Sequence, residues 1–215
     1  MLIQRRASNP DLNFVDSVHP LLQQVYRKRS IQSSDELELG LSNLLPPDGF
    51  KGMNKAVSLL VNCLQNKKRI VIVSDFDADG ATSCVLAMNA LRQMGVGHVD
   101  YIVPNRFQFG YGLTPEIVEL AKHKKPDLLI TVDNGISSIE GVRTANELGI
   151  EVIITDHHIS PDQLPKAQAI VNPNQVGCTF SSKCIAGVGV IFYVMLALRS
   201  ALREINWFKE RNIEE

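Results

Sequence analysis

Short apolar runs rich in β-branched residues recur along the chain: Ile70-Val71-Ile72-Val73, Val99-Asp100-Tyr101-Ile102-Val103, Leu128-Leu129-Ile130-Thr131-Val132, Glu151-Val152-Ile153-Ile154-Thr155 and Ala169-Ile170-Val171. An unbroken run of this kind marks a strand buried on both faces. Between the runs, apolar positions fall three and four apart, which predicts helices over Met53–Gln65, Ala81–Met94, Pro115 to about Lys122, Ile139–Leu148 and Gly187 to about Arg203. Thr114-Pro115-Glu116 is a helix start and Gly149 a helix stop. Strands alternating with helices predict an α/β fold, a doubly wound, mostly parallel sheet flanked by helices.

The first fifty residues are patterned differently. Pro20 to Arg29 reads as a short amphipathic helix, Ser33-Ser34-Asp35-Glu36 carries a capping signature, and Pro46-Pro47-Asp48-Gly49 breaks the chain. The expected division is an N-terminal helical extension over 1–52, packed on a main domain over 53–215. Arg27, Lys28 and Arg29 could touch phosphates, but a charge run of this length reads as a solvated face.

Composition narrows the class. A chain of 215 residues buries a sizeable core. Its net charge of −1 offers no global basic field to attract nucleic acid, so any such partner must be held by local patches. Cys63, Cys84, Cys178 and Cys184 lack the paired spacing of a structural zinc site and suggest no disulfide framework. The sequence holds no long apolar span, and its polar, arginine-bearing start is unlike a secretory signal. No membrane partner and a cytoplasmic location are therefore expected.

The chemistry gathers where strands end. Asp75, Asp77 and Asp79 follow the first run at alternate positions, Asp133 follows the third, and Asp156-His157-His158 follows the fourth. On an extended chain, residues two apart share a face, so the first three acids are expected to project together. In a parallel sheet all these ends emerge on one edge. Two carboxylates about 4 Å apart repel by roughly 4 kcal/mol at an effective dielectric near 20, which a divalent cation would relieve. Singly, each group could be a cap or a turn residue. Jointly, carboxylates and imidazole around one point are the ingredients of a two-ion hydrolase, in which ions some 3.5–4 Å apart clamp the oxygens of a phosphoryl displacement.

Asp75-Phe76-Asp77-Ala78-Asp79-Gly80, Asp133-Asn134-Gly135 and Asp156-His157-His158 resemble the first three motifs of the DHH phosphoesterase family. Asn105-Arg106-Phe107 with Gly110-Tyr111-Gly112-Leu113, and the N-terminal extension, are similar to its single-stranded-DNA-specific exonucleases. The resemblance implies a Mn²⁺- or Mg²⁺-dependent enzyme with a two-ion site, removing nucleotides from the 5′ end of single-stranded DNA in repair and recombination. It implies Asp77, Asp79, Asp133 and His157 as metal ligands, His158 at the scissile phosphate, Asp156 orienting the imidazoles and Asp75 behind the ligands. Arg106 would bind phosphate. Gly187 and Gly189 would form a close-approach loop near the substrate or only permit tight helix packing. Implied partners are single-stranded DNA, a single-strand-binding protein and a helicase, met by a monomer.

The family pattern also contains a fourth aspartate motif, a second substrate-binding domain and an OB-type domain with no counterpart in these 215 residues. A histidine that opens the first motif in some members is replaced by Val73. An inactive or weakly active N-terminal fragment is the expectation. The rival readings are a DHH phosphodiesterase acting on short oligonucleotides or cyclic dinucleotides, and a non-catalytic DNA-binding relative.

Overall fold

The computed structural model describes residues 18–29, 31, 33–38 and 40–214. The polar amino-terminal start, from which no secretory signal is expected, lies outside them. The chain divides into two compact units, 1–45 and 46–215.

In the first unit, helix α1 (Pro20–Lys28) begins with proline, and His19 Nδ1 accepts the Leu21 N–H at 3.2 Å. The capping signature at Ser33 produces one 3₁₀ turn, Ser34–Leu37, whose Glu36 carboxylate accepts the Ser33 N–H at 3.2 Å.

The second unit takes in residues 46–52, which the sequence pattern groups with the extension. The reason is Phe50, which is buried and stacks on Phe180 with ring centroids 3.8 Å apart. Helix α2 (Met53–Gln65) leads into β1 (Ile70–Ser74), α3 (Ala78–Gln93) and β2 (Val99–Ile102). One turn, α4 (Arg106–Phe109), interrupts what reads as loop, and α5 (Pro115–Lys122) follows. Then come β3 (Leu128–Val132), α6 (Ile139–Glu147), β4 (Glu151–Thr155), β5 (Ala169–Val171), α7 (Gly187–Glu204) and α8 (Trp207–Arg211).

All neighbouring strands pair in parallel, in the order β2-β1-β3-β4-β5. Period-two alternation sends Ile70 and Ile72 to the core under α2, α3, α7 and α8, and Val71 and Val73 to the core under α5 and α6. The sheet is therefore covered on both faces, as the apolar runs require. Strand order reverses direction between β1 and β3, and the crevice at their carboxyl ends is the natural ligand position of such a sheet.

Two elements depart from the pattern. Helix α3 starts at Ala78, three residues earlier than expected, because Asp77 acts as its N-cap and accepts the Gly80 N–H at 2.9 Å. The segment after α7, for which the pattern predicts no element, forms helix α8. Trp207 and Phe208 are buried, and the indole N–H donates to the Met94 carbonyl at 2.9 Å. Among the described residues no helix is long and apolar enough to cross a membrane.

Candidate metal centre

The early start of α3 rearranges the first motif. Asp75 stands just past β1, Asp77 caps the helix through one carboxylate oxygen and Asp79 lies in the first helical turn, so the three acids do not project from one extended face. The alternation expected of a strand is lost because the strand has already ended at Ser74. Gly80 is required here, since a Cβ would run into the Asp75 backbone carbonyl. Asp79 instead reaches the start of α7. Its Oδ2 accepts the Gly187 N–H at 2.7 Å and its Oδ1 the Val188 N–H at 2.8 Å, a favourable place for an anion at a helix N-terminus.

Asp133, at the end of β3, sits in the left-handed region (φ 61°) that aspartate tolerates better than most residues. Its N–H continues the ladder to the Thr155 carbonyl at 3.0 Å, while its side chain turns into the crevice and is only 2% exposed. Its Oδ1 lies 3.0 Å from His157 Nε2, and among the described residues no other donor reaches it. Burial, with Asp79 and Asp77 adding to it and His158 opposing, pushes this carboxyl up to about 7. A buried carboxylate held back from ionising, with an oxygen left for a further partner, fits a divalent cation.

Beyond β4, Asp156 is buried but stays ionised. Burial opposes its charge. The contact with His158 Nδ1 at 2.7 Å and the N–H groups of Ile136 (2.9 Å) and His158 (3.1 Å) outweigh it and hold the carboxyl below its usual range. Asp156 in return raises His158, whose ring is more exposed. Asp156 thus orients the His158 ring and, through the His157 N–H at 2.7 Å, the backbone between them. The His157 ring faces the other way, to Asp133 and to Asp79 Oδ2 at 3.6 Å.

Three asparagines support the site, of which Asn172 and Asn174 carry no motif of their own. Asn172 Nδ2 donates to the His158 carbonyl at 3.0 Å, and Asn174 Nδ2 to the His157 carbonyl at 2.6 Å. The Asn174 N–H closes the clamp on Asn172 Oδ1 at 2.7 Å. Asn134 Nδ2 ties the β1 and β3 ends together through the Val73 (3.1 Å) and Val132 (2.9 Å) carbonyls. An Asn-Pro-Asn run after a short strand was the available signal, but its side-chain partners lie about fifteen residues away.

Arg106 Nη2 meets Asp75 Oδ2 at 3.1 Å and lies over the Phe76 ring at 4.1 Å. Tyr111 stands between the two motifs, its hydroxyl 3.3 Å from the Asp133 carbonyl and 3.4 Å from the His158 ring nitrogens. The two glycines divide. A Cβ at Gly187 would press on the Asp133 carboxylate, whereas one at Gly189 would meet only the Ile185 side chain.

The possible ligand atoms form two groups: Asp133 with His157 and His158, and Asp75 with Asp77 and Asp133, each lying within 4.8 Å of one another. Asp133 belongs to both. Hard oxygens with imidazole suit Mg²⁺ or Mn²⁺. The family model described as "DHH family, N-terminal domain" matches residues 69–213. The chain belongs to the DHH family.

Among curated relatives, the chain is 49% identical over 211 residues to the single-stranded-DNA-specific exonuclease RecJ of Escherichia coli (strain K12), covering 98% of this chain and 37% of that protein. It is 53% identical over 207 residues to RecJ of Haemophilus influenzae, covering 96% and 36%. The chain therefore spans little more than a third of these relatives. A crystal structure of exonuclease RecJ bound to manganese superposes with a TM-score of 0.66 at 34% identity, over 74% of this chain and 40% of that one. RecJ from Thermus thermophilus in complex with Mn²⁺ gives 0.64 at 30% identity, over 83% and 24%.

Proposed function

We propose that this chain is the DHH portion of a metal-dependent 5′→3′ exonuclease that hydrolyses single-stranded DNA in repair and recombination. The observation that carries the reading is Asp133, buried, shared by two groups of ligand atoms and facing His157 at 3.0 Å. Asp133 and His157, with Asp77 and Asp79, would hold Mn²⁺ or Mg²⁺, and Asp75 stands close enough to join them. When bound, two such ions would make a water easier to deprotonate, and so a better nucleophile, and would offset the negative charge that develops at phosphorus.

The chain's own groups do the rest. His158, kept protonated more readily by Asp156, can donate to a phosphate oxygen. Asp156 keeps the His158 imidazole turned toward the crevice in which the reacting phosphate would sit. Arg106 can exchange its Asp75 partner for phosphate, which its planar fork fits in two places. In this reading the N-terminal helical segment is accessory, and the catalytic domain is 53–215 together with residues 46–52, which share its compact unit. The enzyme works as a cytoplasmic monomer beside a single-strand-binding protein and a helicase.

The test uses the natural full-length gene product with Mn²⁺ and a single-stranded oligonucleotide labelled at either end. Immediate release of mononucleotide from the 5′ label, with gradual shortening of the 3′-labelled strand, supports the reading. Release from neither end overturns it.

A further inference from the structure

The two edges of the sheet carry opposite charge. The carboxyl edge holds the aspartates of the metal centre. At the amino edge, where β1 and β2 begin, a cavity of about 500 Å³ is lined by Arg69, Arg92, Lys124 and Lys125, together with His98 and His123. Lys124 is paired with Asp100 at 2.6 Å. Arg69, Arg92 and Lys125 form no ion pair among the described residues and are exposed. The Asp127 carboxylate, the nearest further acid in sequence, accepts the Arg69 backbone N–H at 2.7 Å. Three cations that form no ion pair among the described residues thus share one concave surface with a single lining acid, Asp100, which Lys124 holds and which Arg92 also influences, on a chain whose net charge is −1. A concave wall of low dielectric concentrates such a field.

From this geometry we infer that the amino-edge notch is a second nucleic-acid site, holding the phosphodiester backbone of a single strand away from the end being hydrolysed. Guanidinium forks match phosphate oxygens in pairs. Protein partners are anchored by aromatic or aliphatic side chains seated in a pocket. This notch offers none: its apolar wall is Ile70 and Val71, which are buried in the sheet, and Val99. Charge without an apolar anchor is what backbone binding uses, since phosphate neutralisation dominates that affinity.

The inference rests on the exonuclease reading for the identity of its strand. The two edges are separated by the length of the strands, on the order of 17 Å at about 3.3 Å per residue. A very short oligonucleotide at the metal centre cannot reach the notch, and a long one can.

The test compares the full-length protein with its Arg69→Gln/Arg92→Gln/Lys125→Gln variant, and with Arg92→Glu alone as a milder change. Circular dichroism checks that each is folded. Hydrolysis of a dinucleotide and of a 30-mer is followed with Mn²⁺, and binding of the 30-mer by fluorescence anisotropy in chelator across a salt series. The expected result is unchanged kcat on both, unchanged KM for the dinucleotide, and a KM for the 30-mer raised about tenfold. The slope of log affinity against log salt should flatten by about 0.7 for each cation removed. Equal behaviour of variant and parent on the 30-mer in both assays overturns the inference. So does loss of binding to a poly-glutamate peptide with DNA binding intact, which would make the notch a protein site. If the parent hydrolyses neither substrate, the exonuclease reading fails, and a flattened salt slope in the variant still supports the notch.

Discussion

Gly187 and Asp133 approach so closely that a Cβ on residue 187 would lie 2.5 Å from the Asp133 carboxylate oxygen. The glycine also gives its N–H to Asp79 at 2.7 Å. One residue at the start of α7 therefore fixes two acids that leave the sheet at different strands. Gly187→Ala should push Asp133 off His157 and lower Mn²⁺ affinity at least tenfold, about 1.4 kcal/mol. Gly189→Ala should do much less, since the flexible Ile185 side chain can give way. Isothermal titration of both variants with Mn²⁺ reads the difference, and equal affinities would show that α7 does not set the site.

The raised Asp133 carboxyl makes the metal-free protein's stability fall as pH rises. Below about pH 4 the group is protonated both folded and unfolded. Between its ordinary value of 3.8 and about 7 the unfolded chain has lost the proton that the folded chain retains, so folding is penalised progressively. Above about 7 the penalty is complete, roughly 4 kcal/mol. A divalent ion that binds the ionised form removes the penalty. Thermal unfolding with and without Mn²⁺ should show a stabilisation that grows from pH 5 to pH 7.5. An increment independent of pH would mean that Asp133 is not at the ion.

Asn172 and Asn174 hold the carbonyls of the two histidines, and Asn172 is fully buried. Removing a buried donor leaves its acceptor unpaired, which costs about 1–3 kcal/mol. Asn172→Ala should lower the melting temperature and loosen the His157-His158 turn, so that activity falls more than stability at 25 °C. Asn172→Asp keeps the shape but cannot donate, and should be no better than alanine. Full activity in Asn172→Asp would show that the donated bond is dispensable. Kinetics and thermal melts on the two variants decide this.

Most of the scaffold was legible because strand runs and helix periods agree along the chain. Met53–Gln65, Glu151–Thr155 and Ala169–Val171 appear where the pattern puts them. Convergence of Asp75, Asp133 and Asp156 followed from parallel strands alone. The first motif was harder. Asp77-Ala78-Asp79 satisfies both a strand's alternation and a helix's cap, and local hydrogen bonding to Gly80 settles the competition. The Asn172–His158 and Asn174–His157 bonds join segments that only the fold brings together, so no periodicity reports them. Phe50, Trp207 and Phe208 look like isolated apolar residues in polar stretches, and their burial depends on long-range packing against α3 and α7.

Asp156→Asn tests what the buried carboxylate does for its neighbour. The amide preserves shape, and its oxygen can still accept from Ile136 or from the histidine backbone. What it lacks is the negative charge 2.7 Å from His158 Nδ1, the contact that does most to raise that imidazole above its ordinary value of 6.5. If the protonated ring donates to the phosphate, activity is present at low pH and lost as pH rises through the His158 value. Removing the charge lowers that value, so the descending limb of the pH–kcat profile should move to lower pH. The ascending limb, set by carboxylates that must ionise around the ions, should stay in place. A uniform drop in kcat with both limbs unmoved would mean that His158 acts through position alone and that its proton plays no part in turnover.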